Sequence, residues 1–287
     1  PHPPYDPTDD FLALYKDTEF PHRAASRQEL AQQPKMHQQL RQSMVDFNID
    51  SVAWRENLMD EDIQRLHRHY SANVSMIDQK VGQIMDCIEK QGYLDNTIVI
   101  FCSDHADALG EHGHIQKWTM YDCVTRVPLV FWAPDRVKKQ QQCDDLVQLM
   151  DIAPTILQFA GIDSPANWEA LAMNKMLVSG CWNEQNTNEK LRDYVYAELG
   201  RDHIQSGAEY VIMRRDNRWK YVIYPGTQDG ELYDLQNDPN ETENLWHDPQ
   251  FLEQKKDAMI EILAWSNLGN FRGNRPLPKN PQAPMKI

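Results

Sequence analysis

Thr97-Ile98-Val99-Ile100-Phe101-Cys102-Ser103-Asp104-His105-Ala106-Asp107-Ala108-Leu109-Gly110-Glu111-His112-Gly113-His114 changes character after its sixth residue. Thr97 to Cys102 is a short apolar run, β-branched at its first four positions, and it follows the turn signal Asp95-Asn96. Such a run predicts a buried strand, and an uninterrupted one predicts a parallel strand covered on both faces. Polar residues dominate from Ser103 onward. Ligands in open α/β sheets sit beyond the carboxyl ends of strands. Asp104 and His105 stand at such an end, are adjacent, and both have side chains that bind metals. Lys117, thirteen residues after Asp104, offers a cation for an anionic group.

Upstream of this strand, apolar residues recur at Ile63, Leu66, Tyr70, Val74, Ile77, Val81, Ile84 and Ile88. Steps of three and four predict a helix over Asp60–Gln91 with one buried face, capped by Asp60 and ended by Gly92. A helix feeding a buried strand is half of a βαβ unit. Residues 28–42 are rich in Gln and His and are expected on a short exposed helix. Downstream, Leu129–Trp132 predicts a second buried strand and Asp151–Ala160 a short helix. Strands follow at Tyr194–Glu198, Tyr210–Met213, Trp219–Tyr224 and Glu231–Leu235. Asp216-Asn217 makes a hairpin of the middle two. A last helix is expected over about Pro249–Trp265, then an extended tail rich in Pro and Asn. The fold class is therefore α/β, followed by a small antiparallel sheet with one helix.

Composition narrows the function classes. The 287 residues carry 29 Lys and Arg against 43 Asp and Glu, a formal charge of −14. Such a chain repels phosphate backbones, so nucleic acid is not an expected partner. No apolar stretch approaches the roughly 18 residues of a membrane span. The five cysteines are widely spaced, with no C-x-x-C pair, which argues against a disulfide framework and against a structural zinc site.

Several ordered motifs together resemble the sulfatase family of the alkaline phosphatase superfamily. They are Ser103-Asp104-His105, Leu109-Gly110-Glu111-His112-Gly113, Lys117 to Asp122, and Thr125-Arg126-Val127-Pro128-Leu129. Asp151-Ile152-Ala153-Pro154-Thr155-Ile156-Leu157 and Glu231-Leu232-Tyr233-Asp234-Leu235 continue the likeness, and Pro1-His2-Pro3-Pro4-Tyr5 resembles the family's P-H-x-P-Y loop. The resemblance implies an alkaline phosphatase-like mixed sheet sandwiched by helices, present here without its N-terminal part. Residues 1–180 would be the C-terminal part of the catalytic α/β domain, 181–267 a small α+β subdomain and 268–287 the tail.

The resemblance also implies roles. Asp104 and His105 match two ligands of a divalent cation, calcium first, with manganese or zinc as alternatives because His is a softer ligand. Lys117 matches a lysine that holds a sulfate oxygen. His2 matches a histidine that touches sulfate near the leaving oxygen, as donor or general acid. The nucleophile of the family is a formylglycine made from Cys or Ser in a C/S-x-P/A-x-R motif. None of the five cysteines has Pro or Ala two positions on and Arg four on. The nucleophile and a pair of Asp ligands are therefore expected in a preceding part, and the chain alone is expected to be inactive.

Three functions follow as expectations. The first is a sulfatase fragment acting on a sulfated small molecule or saccharide, with its own N-terminal half as a partner and a periplasmic or secreted location by family habit. The second is a phosphonate monoester or phosphodiester hydrolase of the same superfamily. The third is a non-catalytic fragment or pseudoenzyme serving as a binding module. Among the other polar residues, His67 and His69 are expected to be solvated, Arg126 to anchor its loop to the core, and Glu111, His112 and His114 to shape the loop. Ala106 stands where the family favours Gly and would be strained at positive φ.

Overall fold

A computed structural model describes residues 1–47, 58–180, 190–200 and 208–274. In chain order the elements are α1 (Asp9–Ala13), α2 (Arg27–Gln32), α3 (Lys35–Phe47), α4 (Asp60–Lys90), β1 (Val99–Cys102), α5 (Asp122–Thr125), β2 (Leu129–Trp132), α6 (Ile152–Phe159) and α7 (Asn174–Ser179). They continue with β3 (Val195–Gly200), β4 (Tyr210–Arg215), β5 (Trp219–Ile223), β6 (Gly230–Asp234) and α8 (Leu252–Asn274). Two compact units emerge. One comprises Pro1–Val137 with Ala197–His247, the other Lys138–Tyr196 with Asp248–Ile287.

In the first unit α4 follows its periodicity. Ile63, Leu66 and Ala72 are buried, and Gly92 ends the helix at φ +71°, its N–H bonded to the Glu89 carbonyl at 2.9 Å. The cap differs from expectation. Met59 is the N-cap residue, and the Asp62 carboxylate reaches back to its N–H at 3.1 Å. Asp60 contributes instead to a first turn of three acids, which suits the helix dipole. Further along, Val74, Ile77 and Ile84 are exposed.

β1 and β2 pair antiparallel, from Val99 opposite Trp132 to Cys102 opposite Leu129. This corrects the parallel, buried reading. An unbroken apolar run specifies a strand but not its direction, and here Phe101 and Val130 are 43% and 53% exposed. The described residues cover this pair only in part, so continuous hydrophobicity does not here mean continuous burial.

The Gln- and His-rich stretch is corrected as well. It forms α2 and α3, which place Glu29, Gln33, His37 and Arg41 in the interior. Ser26 caps α2 by accepting from the Glu29 N–H at 3.1 Å. One core cluster gathers Tyr5, Leu40, Met44, Leu66, Ile115 and Trp118. It binds the N-terminal arm, two helices and the loop after β1 into one body.

The second sheet has the order β3-β4-β5-β6, as the meander reading expects. The hairpin turn is organised by Asp216, whose Oδ1 accepts from the N–H groups of Arg218 and Trp219 at 2.8 and 2.7 Å. That is the Asx chemistry for which Asp is favoured in turns. All five residues of β6 are buried. Gly230 opens β6 flat against Trp246, and a Cβ added there would lie within 2.6 Å of three ring atoms. The indole cannot swing away freely, because its N–H donates to the Gln228 carbonyl at 3.1 Å. Gly230→Ala is therefore expected to destabilise the chain by about 1–3 kcal/mol, the usual cost of overpacking, measured as a lower thermal unfolding midpoint.

In the other unit, buried Asp151 organises the segment. Its carboxylate accepts from the N–H groups of Gln148 and Leu171 at 2.8 Å each and pairs with Arg192. Thr155 links α6 onward, donating to the Asp151 carbonyl and accepting from the Met173 N–H. α8 runs through Asn274, so residues 268–274 are helical rather than extended, while 275–287 lie outside the described residues. The chain lacks any described helix long and apolar enough to cross a membrane. Cys143 is disulfide-bonded, whereas Cys87, Cys102 and Cys123 are free thiols. One cross-link thus exists despite the wide cysteine spacing.

Candidate active site

The loop after β1 is built around Asp107. One carboxylate oxygen accepts from the N–H groups of Leu109 and Gln116 at 2.9 and 3.0 Å, and the other accepts a hydrogen bond from the Tyr5 hydroxyl. Sequence reasoning counted Asp107 only as one more acid in the loop. Its side chain closes the loop on itself and ties it to the N-terminal arm. Tyr5 is buried, and its carbonyl is also hydrogen-bonded by His69 Nδ1 at 3.0 Å. His69 is therefore engaged rather than solvated. So is His67, which stacks on Phe20 at 5.4 Å between centroids.

Pinning Tyr5 brings the arm's histidine to the loop's lysine. Lys117 Nζ lies 3.4 Å from His2 Nε2, although 115 residues separate them. His2 Nδ1 is 2.6 Å from the Pro3 carbonyl, which accepts but cannot donate. The proton therefore sits on Nδ1, and Nε2 presents its lone pair to the lysine. Asp104 and His105 lie together on the same loop. The His105 N–H donates to Asp104 Oδ1 at 3.0 Å, and Ser103 Oγ donates to the His105 carbonyl at 2.6 Å. Some burial raises the Asp104 carboxyl. The His105 N–H, the His105 ring and Lys117 outweigh it and hold the carboxyl below its usual range. Lys117 is thus in electrostatic reach of Asp104, and all four sequence-derived residues share one neighbourhood.

The donors fit a divalent cation. His105 Nδ1 faces the Ala106 carbonyl at 2.9 Å and so carries the proton, leaving a lone pair on Nε2. That Nε2 lies 3.6 Å from Asp104 Oδ2. Two acceptors facing each other at this distance match adjacent ligands of one ion, since bonds of about 2.1–2.4 Å put ligands roughly 3–3.5 Å apart. Ala106 is not among the positive-φ residues, so alanine costs nothing there.

Beside this group the Leu109-Gly110-Glu111-His112-Gly113 turn uses the left-handed region at Leu109, Gly110, His112 and Gly113. Gly110 permits its φ of +98° without a side-chain penalty. His112 stacks on Tyr121 at 3.7 Å and pairs with Glu29 at 2.8 Å. Burial raises the Glu29 carboxyl. Hydrogen bonds from Arg23 and His112, with the Arg23 charge, more than offset it and bring it to about 2, against an ordinary 4.5. A depressed folded-state value stabilises above the unfolded value and is lost as pH falls. The stability advantage of the native chain over Glu29→Gln is therefore expected in full above pH 4.5. It should shrink steadily toward pH 2, measured by urea unfolding across that range.

A buried cation fixes the far end of the Lys117 segment. Lys220 Nζ bonds the Met120 carbonyl at 3.0 Å and pairs with Asp122 and Glu241. Arg215 adds a second cation at 3.2 Å from Asp122. Burial raises both carboxyls. Lys220 and Arg215 still bring Asp122 below its usual range, while Glu241, next to Asp122, stays raised. Arg126 is exposed, so Lys220 rather than Arg126 is the anchor of this loop.

Ser51-Val52-Ala53-Trp54-Arg55 has the S-x-A-x-R spacing, although it follows the P-H-P-P-Y arm, and it lies outside the described residues.

Comparison with known proteins gives the family of the chain. The Sulfatase family profile matches residues 1–162, and the profile "N-sulphoglucosamine sulphohydrolase, C-terminal" matches 110–266. An arylsulfatase of Clostridium perfringens is 25% identical over 295 residues, covering 100% of this chain and 56% of that protein. An N-acetylglucosamine-6-O-sulfatase of Bacteroides thetaiotaomicron is 31% identical over 201 residues, covering 68% of this chain and 35% of that protein. The chain thus spans about half, or less, of the length of these relatives. Among solved structures, the phosphonate monoester hydrolase of Agrobacterium radiobacter superposes with a TM-score of 0.78 at 24% identity, over 95% of this chain and 55% of that one. These likenesses give the α/β fold its alkaline phosphatase-like class. With both profiles matching more than half of its length, and the motif residues gathered on one loop and one arm, this chain belongs to the sulfatase family of hydrolases.

Proposed function

We propose that the chain carries part of the active site of a sulfatase that hydrolyses a sulfate monoester on a saccharide or another small molecule. The observation that carries this reading is the approach of Lys117 Nζ to His2 Nε2 at 3.4 Å, within reach of Asp104. A sulfate group between these residues would be held by lysine charge at one oxygen. The His2 imidazole, whose Nε2 lone pair faces Lys117, would donate toward the leaving oxygen once Nε2 has also taken up a proton. Asp104 and His105 would hold a divalent cation, calcium first and manganese or zinc otherwise, which neutralises charge on the ester when bound. Calcium prefers oxygen donors, and His105 is the residue that favours the alternatives.

The nucleophile in this reading is a formylglycine supplied by residues preceding the P-H-P-P-Y arm, and the chain alone is inactive. The partner is then the N-terminal half of the same enzyme. Supporting this, Phe101, Val130, Trp132, Val74, Ile77 and Ile84 form apolar surface on β1, β2 and α4 that the described residues leave open. Surfaces of this kind mark interaction sites. Residues 1–180 belong in this reading to the catalytic part, 181–267 to a small C-terminal subdomain and 268–287 to a tail. The disulfide at Cys143 supports a periplasmic or extracellular location, where such bonds persist.

The second reading, a phosphonate monoester hydrolase, is favoured by one feature, the His105 ligand beside Asp104. The test is turnover of an aryl sulfate against an aryl phosphonate monoester, by this chain alone and when produced with the complementary N-terminal part. Sulfate hydrolysis that needs both parts supports the proposal. Preference for the phosphonate supports the second reading. Sulfate turnover by the chain alone, with Ser51 found two hydrogens lighter in a peptide map, would overturn the placement of the nucleophile.

A further inference from the structure

A second set of donor side chains lies in the first unit and takes no part in the chemistry proposed above. The Glu111 carboxylate, an imidazole nitrogen of His112 and the Cys123 sulfur all lie within 4.8 Å of one another. We propose that Glu111, His112 and Cys123 form a binding site for one zinc-class transition-metal ion, separate from the Asp104–His105 pair.

The donor chemistry sets the class. One carboxylate oxygen, one imidazole nitrogen and one sulfur are the three donor types that zinc accepts, and sulfur excludes calcium and magnesium as natural occupants. The imidazole is already prepared. Its Nδ1 sits 2.8 Å from Glu29 Oε1, and Glu29 is held ionised by Arg23, so Nδ1 carries the proton and Nε2 the lone pair. A carboxylate behind a histidine is the arrangement that orients metal-ligating imidazoles and raises their basicity. Stacking on Tyr121 at 3.7 Å fixes the ring plane.

The other two donors are available. Cys123 is a free thiol, and neither it nor the Glu111 carboxylate has a hydrogen bond among the described residues. His67 Nε2, buried without a hydrogen-bond partner, lies within electrostatic reach of Glu111. Tetrahedral zinc with bonds of about 2.0–2.3 Å needs its donors roughly 3.3–3.8 Å apart, so the group must contract by up to about 1.5 Å. The long Glu111 side chain can supply that by rotation.

Charge balance is straightforward. Burial, Glu111 and Glu241 keep the Cys123 thiol protonated in the metal-free chain, with Lys220 opposing. Binding therefore breaks the S–H bond, forms the sulfur–metal bond and releases one proton to solvent. Arg23 is a second nearby cation; it makes two parallel hydrogen bonds to Glu29 and lies 3.3 Å from His112 Nδ1. The occupied site would tie the turn before Lys117 to α5 after it, a brace on both sides of the sulfate-binding lysine.

Cobalt(II) is the probe, because a sulfur ligand gives it a charge-transfer absorption in the near ultraviolet that oxygen and nitrogen ligands do not. The chain would carry Cys87→Ser and Cys102→Ser, removing the exposed free thiols. Titration of this metal-stripped protein is expected to develop the band to one equivalent, reversed by zinc. The band should persist in Asp104→Asn/His105→Ala, vanish in Cys123→Ser, and need at least tenfold more cobalt in Glu111→Gln. A band absent from the parent protein, or retained in Cys123→Ser, overturns the site. A band lost with Asp104 and His105 would assign the metal to the other pair. Unchanged thermal unfolding of metal-free Cys123→Ser shows that the variant still folds.

Discussion

Replacing Lys220 by methionine is expected to lower the unfolding free energy by about 3–5 kcal/mol, the range seen when one partner of a buried ion pair is removed. Lys220 is fully buried, and Glu241 is 3% exposed. Methionine matches the length of lysine but leaves two carboxylates without their shared cation, with Arg215 reaching only Asp122. The Met120 carbonyl also loses its donor. A drop in the urea midpoint at constant slope is the readout. Adding Glu241→Gln to Lys220→Met should recover part of the loss, because one of the stranded charges is gone. If the single variant is as stable as the parent, the ion cluster is not what holds the Lys117 segment.

Lys117→Ala carries the largest expected effect on activity. In the enzyme assembled with its nucleophile, this change should lower kcat/KM for a sulfate ester by about 10²–10³-fold, comparable to losing one preorganised donor to a developing oxyanion. The fold should be unaffected, since Lys117 Nζ contacts His2 and Trp118 at the rim of the site rather than the core. Lys117→Arg should restore part of the rate, because charge is kept while the geometry changes. Equal loss in both variants would argue that shape rather than charge is what the site needs from Lys117. An unchanged rate in Lys117→Ala would remove the residue from the site.

Much of the candidate site could be proposed from the sequence because it is local. Asp104, His105 and Lys117 sit on one loop whose start is marked by the end of an apolar run, so strand and ligands are read in a single pass. The C-terminal hairpin was legible for the same reason: Asp216 makes its own turn. Contacts between distant segments were not legible. Nothing in the spelling of Asp107 says that it grips Tyr5, or in that of Lys220 that it reaches Asp122. The Gln- and His-rich stretch was misread because its composition is that of a surface helix. In the fold, Glu29 and His37 are buried against His112 and Glu231 from far along the chain, and Arg41 is buried against Gln33. The direction of β1 failed because periodicity carries no sign. The Glu111–His112–Cys123 group was missed because its donors are split between a turn and a helix, with no metal-ligand spacing to announce it.

Lys220 reaches back 98 residues to Asp122, and the first unit is assembled from Pro1–Val137 and Ala197–His247. During synthesis at about 5–20 residues per second, the second stretch emerges on the order of ten seconds after the first is complete. Throughout that interval Asp122 has no lysine and β6 does not yet exist, so the loop that carries Lys117 leaves the ribosome before its anchor. A nascent chain halted just after Val137 should be cut readily in this loop by added protease, and one halted beyond His247 should resist. The C-terminal sheet thereby makes a finished loop conditional on synthesis through His247.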